Sequence, residues 1–163
     1  MAIFGNKSKD GNLVCNFSHT DGIPTYSKDM AVSIEQNDGE SRLEIKQRLS
    51  KIPPTFLNYS QITTLDILSE KQITEKSKSV VGRAVVGGIL LGPLGGIIGG
   101  MSGIGNKNKT NTHFYFIINY VLLNDEEPKV LSFEIVGASL HWDKFVKSLR
   151  EKLNISNEYI QNL

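Results

Sequence analysis

Cysteine is almost missing from this chain of 163 residues: Cys15 stands alone, so no internal disulfide can form. A lone thiol favours a reducing, cytosolic setting. Excess charge is missing as well. Lys and Arg number 18 against 17 Asp and Glu, a formal net charge of +1, and without a global field nothing selects nucleic acid or an acidic substrate. Met1 to Asp10 has too short an apolar run for a signal peptide and soon turns polar, so residues 1–11 are expected to form a flexible tail. His19, His113 and His141 lie far apart, and no Cys or carboxylate pattern supplies metal-ligand spacing, which makes each a turn, strand-end or helix-start residue. No Gly-Lys-Ser/Thr is present, and no G-x-G-x-x-G follows a strand, so nucleotide binding is not expected. Cys15 falls within an alternating apolar run, where burial rather than nucleophilic attack is expected. Lys107 and Lys109 with Phe114, Tyr115 and Phe116 imitate a nucleic-acid face, but basic residues followed by a core strand account for them. These absences leave no catalytic residue, no cofactor, no metal and no small-molecule substrate. The expectation is a protein that is not an enzyme.

What is abundant is glycine, concentrated in one place. Between Ala84 and Gly103 twenty consecutive residues carry no charge, and eight of the 15 glycines lie there. Ala84, Gly88, Gly92, Gly96 and Gly100 recur every four residues, the spacing that lets helix backbones approach closely. Ile89, Leu90, Leu91, Leu94, Ile97 and Ile98 fill the gaps. Each Gly costs about 1 kcal/mol of helix propensity relative to Ala, so a helical form of this run requires something packed against it.

The flanking sequence is patterned for strands. Leu13, Cys15 and Phe17 alternate with Val14, Asn16 and Ser18, a period of two, and His19-Thr20-Asp21-Gly22-Ile23-Pro24 is a turn. Met30, Val32 and Ile34 alternate next, Asn37-Asp38-Gly39 offers a hairpin turn, and Leu43, Ile45 and Leu49 resume the pattern. Pro53-Pro54 interrupts it before a weaker run through Phe56, Tyr59, Ile62, Leu65, Ile67 and Leu68. Ser69 to Arg83 is polar. From His113 to Leu123 a long β-rich run puts Phe114, Phe116, Ile118, Tyr120 and Leu122 on one face and apolar Tyr115 and Ile117 on the other, which calls for a cover on the second face. A turn over Asn124–Pro128 and a strand from Val130 to Val136 follow. The chain closes on a helix with Ser139 as expected N-cap, a stripe of Trp142, Phe145, Val146, Leu149 and Leu153, and Asp143, Lys144, Lys147, Arg150 and Glu151 directed to solvent.

Six or seven strands in meander order with one C-terminal amphipathic helix is the element order of a pleckstrin-homology-like (PH-like) barrel: mainly β, within the α+β class. The expected organisation is a single domain over residues 12–155, a glycine-rich helical hairpin inserted at 80–106, and a tail at 156–163. His19-Thr-Asp-Gly-Ile-Pro24 together with the Gly82-Arg-Ala and Gly92-Pro-Leu-Gly-Gly-Ile-Ile-Gly-Gly100 blocks resembles a group of bacterial PH-like proteins that carry a glycine-zipper-type insertion. The resemblance spans roughly residues 12 to 153 and implies the fold without a particular activity. In lipid-binding PH domains the first hairpin loop supplies several Lys and Arg to phosphoinositide phosphates. Here it has His19, Asp21 and only Lys28, which argues against that ligand.

A single crossing of a membrane would separate strands that must pair in one sheet, so the insertion is expected to turn back at Pro93, which breaks a helix. Each arm of ten residues would reach ~15 Å, about half a bilayer core. Lys76, Lys78, Arg83, Lys107 and Lys109 would then ring its base and suit an anionic leaflet. Three occupants of the hairpin follow: a membrane surface at the inner face of the cell membrane, like subunits in a homo-oligomer, or the chain's own barrel. The last leaves a soluble adaptor for a protein partner.

Overall fold

The computed structural model describes residues 7–78, 85–86, 89–91 and 112–155. Nine strands lie there, β1 (Val14–Asp21), β2 (Met30–Asn37), β3 (Arg42–Gln47), β4 (Thr55–Asn58), β5 (Ile62–Ser69), β6 (Val85–Val86), β7 (Ile89–Leu90), β8 (Phe114–Leu122) and β9 (Asp125–Ile135). Two helices accompany them, α1 (Glu70–Lys78) and α2 (Trp142–Leu153). Seven strands form one antiparallel sheet in the order β4-β3-β2-β1-β9-β8-β5, while β6 and β7 pair only with each other. Of the expected tail, residues 7–11 form a turn in which Lys7 bridges to Leu13.

The alternation noted along the chain is the sheet's two faces. Cys15 and Phe17, Val32 and Ile34, Leu43 and Ile45 point into one core, with Phe116, Ile118, Leu131 and Phe133 from the far strands. Phe17, Phe116, Phe133 and Phe145 stack there at ring-centroid distances of 5.4 to 6.5 Å. Cys15 is buried in the core as expected, and that burial pushes its thiol up to about 12 and keeps it protonated.

The sheet is open, with β4 and β5 as its unpaired ends rather than a closed barrel, and helix α2 packs across it. Gln36 on β2 donates from Nε2 to the Phe145 carbonyl at 2.7 Å, and its Oε1 accepts from Lys152 Nζ at 2.7 Å. Arg150 donates to the Leu65 carbonyl on β5 at 3.3 Å and lies 3.9 Å from the Asp66 carboxylate. One short helix thus touches the third and the seventh strand in a row of seven, which requires the sheet to curl around it. Arg150 was expected in solvent. Its side chain is instead 12% exposed, because β5 ends the row and its outward carbonyls need a donor; burial draws the guanidinium below its usual value and Asp66 opposes that.

Three further expectations are corrected. Ser139 does not cap α2: its hydroxyl accepts from the Val136 N–H at 3.0 Å, and the helix starts from His141 in the left-handed region at φ 57°. The turn expected over 124–128 shrinks to Leu123-Asn124, since Leu122 pairs with Asp125 and β9 begins there. Pro128 is tolerated beside the bulge opposite Tyr120 and Leu122, where the ladder is already irregular. The weak run from Phe56 to Leu68 is two strands joined by a 3-10 turn at Tyr59–Gln61, in which Gln61 Oε1 accepts from the Asn58 N–H.

Gly22 is required by its turn. At φ +111° an added Cβ would sit 2.4 Å from the Val130 carbonyl oxygen, closer than any real contact.

The packing separates two aromatic residues that share the helix stripe. Phe145 is fully buried and Trp142 only partly, so Phe145→Ala should cost about 3 to 5 kcal/mol and Trp142→Ala clearly less. Thermal unfolding of both variants checks this, and equal losses would contradict it. The thiol gives a second check: Cys15 in the native protein should resist a thiol reagent at mildly alkaline pH and react once denatured, whereas rapid native labelling would place it outside the core.

Candidate attachment site

The insertion is rooted at a single point. Ser69, the last residue of β5, pairs with Phe114, the first of β8, and the Glu70 N–H donates to the His113 carbonyl at 2.8 Å. The chain therefore leaves and re-enters the barrel side by side. Everything from Glu70 to His113 belongs to this excursion, which starts earlier than the 80–106 expected from composition.

The early start is helix α1, which sequence patterning passed over as merely polar. A signal was present. Ser69-Glu70-Lys71-Gln72 is a capping box: Gln72 N–H donates to Ser69 Oγ at 3.2 Å, and Ser69 N–H donates to Gln72 Oε1 at 2.8 Å. With one buried apolar residue, Ile73, the helix has no stripe to detect, and the cap alone marks it.

Ile73 lands on the second face of the sheet. Leu68, Ile73, Leu91, Tyr115 and Ile117 form a cluster separate from the barrel core, with Val130 packed beside it. The cover that Tyr115 and Ile117 demanded is thus supplied by α1 and by the first part of the glycine stretch. Leu91 has no exposed surface, a burial that contributes about 1.5–3 kcal/mol. Burial pushes the Tyr115 phenol well above its usual value, and Glu134, Glu70 and Asp29 add to the shift, so the ring serves as neutral packing. His113 Nδ1 is paired with a carboxylate oxygen of Glu134. Glu70 and Glu134 lie at this neck, and Lys76 and Lys78 lie later on α1. Lys76 follows Glu70 by six residues, ~9 Å along a helix.

At residues 85–86 and 89–90 the chain departs from the expected helical hairpin. Val85 pairs with Leu90 and Val86 with Ile89 in an antiparallel hairpin, and β7 runs beside β9. Valine and isoleucine favour strands, and the sequence between the two pairs is Gly87-Gly88, a two-residue hairpin signal. Val85, Val86, Ile89 and Leu90 are therefore strand residues rather than helical ones. Ile89 and Leu90 lie on β7, Leu91 is the buried peg, and Lys76 and Lys78 lie in the last turns of α1. Ala84, Gly88, Gly92, Pro93, Leu94, Gly96, Ile97, Ile98, Gly100, Arg83, Lys107 and Lys109 lie outside the described residues. So does the expected tail at 156–163. Among the described residues no helix is long and apolar enough to cross a membrane, and no cluster of metal-ligating side chains occurs.

A second place that could take a ligand is the loop between β1 and β2, where His19, Asp21, Gly22, Ile23, Tyr26 and Lys28 line a cavity of about 440 Å³. Its polar groups are largely committed. His19 Nδ1 lies 3.0 Å from the Ser27 carbonyl and Nε2 accepts from the Ile23 N–H at 3.3 Å, an arrangement that fits a proton on Nδ1. Tyr26 donates to the Ile45 carbonyl at 2.9 Å, and Lys28 pairs with Asp29 at 3.6 Å. The sequence placed His19 at a turn; the structure buries it as the post around which that turn is wound.

Comparison with known proteins adds one result. A family model described as "Glycine zipper containing PH domain" matches residues 21–136, from the end of β1 to just past the end of β9. No curated protein matches, and neither does any solved structure.

Because the two ends of the insertion are hydrogen-bonded neighbours, replacing residues 84–103 with a short flexible linker should leave a barrel that unfolds cooperatively. Loss of Leu91 should lower its stability by about 2–5 kcal/mol, the cost of emptying one buried leucine site. Thermal unfolding of the deletion checks both parts, and a non-cooperative transition would show that the barrel cannot form without the stretch.

Proposed function

The chain belongs to the family of glycine-zipper-containing PH domains, and on that footing we propose that it is a non-enzymatic attachment module. One PH-like domain over residues 12–155 acts as platform, and the glycine-rich stretch from Ala84 to Gly103 associates with an anionic membrane surface or with like subunits. The observation that carries this is the neck: Glu70 and His113 are joined by a backbone hydrogen bond, so the segment can engage a partner without pulling the sheet apart. The spacing of Gly92, Gly96 and Gly100 suits close backbone approach. Lys76, Lys78, Arg83, Lys107 and Lys109 flank the segment and suit an anionic leaflet. Such a role fits a cytoplasmic protein peripheral to the inner face of the cell membrane, with no cofactor, metal, nucleic acid or small-molecule substrate.

A second reading is favoured by the burial of Leu91 on the protein's own wall. In it the whole segment folds back onto the barrel, and the barrel serves as a soluble adaptor for a protein partner.

Two variant sets separate these readings. Reversing the five basic residues to Glu should abolish flotation with anionic liposomes, each contributing ~1 kcal/mol near such a surface, and leave the subunit count unchanged. Gly92→Leu or Gly96→Leu should break an assembly of subunits by steric exclusion while strengthening liposome binding through added apolar area. Liposome flotation alongside light scattering reads both. A wild-type protein that neither floats nor assembles would leave the adaptor.

A further inference from the structure

Two exposed apolar tips of opposite charge project from the same end of the sheet. Strand β2 runs against both β1 and β3, and β9 runs against β1, so β3 ends at the end where β9 begins. Only β2 and β1 lie between them in the row. The first tip is the turn after β3, Arg48-Leu49-Ser50-Lys51. It is anchored, since the Arg48 N–H donates to the Ala31 carbonyl at 3.2 Å and Ile52 packs against the core. Yet Leu49 is 107% exposed and sits in the left-handed region at φ 62°, a conformation that suits Gly or Asn and disfavours leucine. Neither burial nor backbone preference accounts for a leucine at this position, so its side chain answers to something outside the fold. Arg48 and Lys51 beside it are exposed.

The second tip is the hairpin between β8 and β9. Asp21, the last residue of β1, pairs with Ser132, so residues 125–131 carry β9 past the end of β1. Leu122 is 43% exposed and Leu123 77%, and Glu126 and Glu127 beside them are exposed as well. A negatively charged lipid surface would accept the first tip and repel the second. A second copy of the chain satisfies both. A two-fold axis lays the basic tip of each copy on the acidic tip of the other, and a contact made twice in this way closes on a dimer rather than a filament.

We propose that this end of the sheet is a two-fold dimer surface, in which Leu49 of each copy packs against Leu122 and Leu123 of the other while Arg48 and Lys51 face Glu126 and Glu127. The leucines supply apolar area, and the charges fix which tip meets which. The contact uses no residue of the glycine stretch and is independent of the attachment reading.

Sedimentation velocity over a concentration series compares the full-length wild type with three variants, and thermal unfolding confirms that each is folded. Arg48→Glu with Lys51→Glu makes both tips acidic, and Glu126→Lys with Glu127→Lys makes both basic. Each should be a monomer where the wild type is a dimer. An equimolar mixture of the two should recover the dimer, because both contacts are then complementary again. Leu49→Asn, which suits the left-handed turn, should keep or raise the thermal stability while weakening the dimer at least about tenfold. A wild type that stays monomeric throughout the series overturns the proposal. So does a charge variant that keeps the wild-type assembly, a mixture whose chains both remain monomers, or an undiminished dimer in Leu49→Asn. Flotation with phosphatidylglycerol vesicles reads the other occupant: binding lost in the acidic variant and gained in the basic one, with no dimer in any form, would assign the surface to a membrane and overturn the dimer.

Discussion

Strand β8 is apolar on both faces, and a sheet with two apolar faces needs two covers. Phe116 and Ile118 turn inward to the aromatic core, while Tyr115 and Ile117 turn outward. A PH-like barrel provides only the first cover, through its own curl and the terminal helix. The second has to come from elsewhere in the chain, and it comes from the excursion between β5 and β8. Burial of two or three large side chains, at about 1.5–3 kcal/mol each, is enough to hold a short helix and a two-rung hairpin that have little stability of their own.

This constraint links the fold to the role proposed for the chain. The excursion begins and ends on adjacent strands that are already paired, Ser69 with Phe114, so its middle can vary without disturbing register. Its first part is fixed to the wall by Ile73 and Leu91. What lies beyond Leu91 is rich in glycine and free of charge as far as Gly103, a composition suited to close packing against a partner. The cavity beside the β1–β2 loop offers less, because His19, Tyr26 and Lys28 are each held by neighbours within the protein.

Much of the barrel was legible because a period of two is a strong signal wherever one face is buried. Cys15 and Phe17, Val32 and Ile34, Leu43 and Ile45 each announced their strand. The helix stripe through Phe145, Val146 and Leu149 announced α2 in the same way. Where local periodicity was weak, the sequence was ambiguous. Helix α1 has one buried residue and betrays itself only by the Ser69 and Gln72 cap. Arg150 looked like solvent on a helical wheel, yet the edge of β5, distant in sequence, draws it inward. Ser139 had the chemistry of an N-cap and was used instead for the turn leaving β9. In the glycine stretch, the four-residue spacing suggested a helix from Ala84 onward. The valines and isoleucine around Gly87-Gly88 carried the competing strand signal, and that signal won at Val85–Val86 and Ile89–Leu90.

The central claim is that the barrel clamps the excursion at its neck and holds it there independently of what the glycine segment does. Native-state hydrogen exchange at the Glu70 amide tests it most directly, because that N–H bonds only across the neck, to the His113 carbonyl. The account predicts protection comparable to the paired amides of β5 and β8, opening only with the barrel as a whole. Exchange at Glu70 near the unprotected rate, while β5 and β8 remain protected, would contradict it.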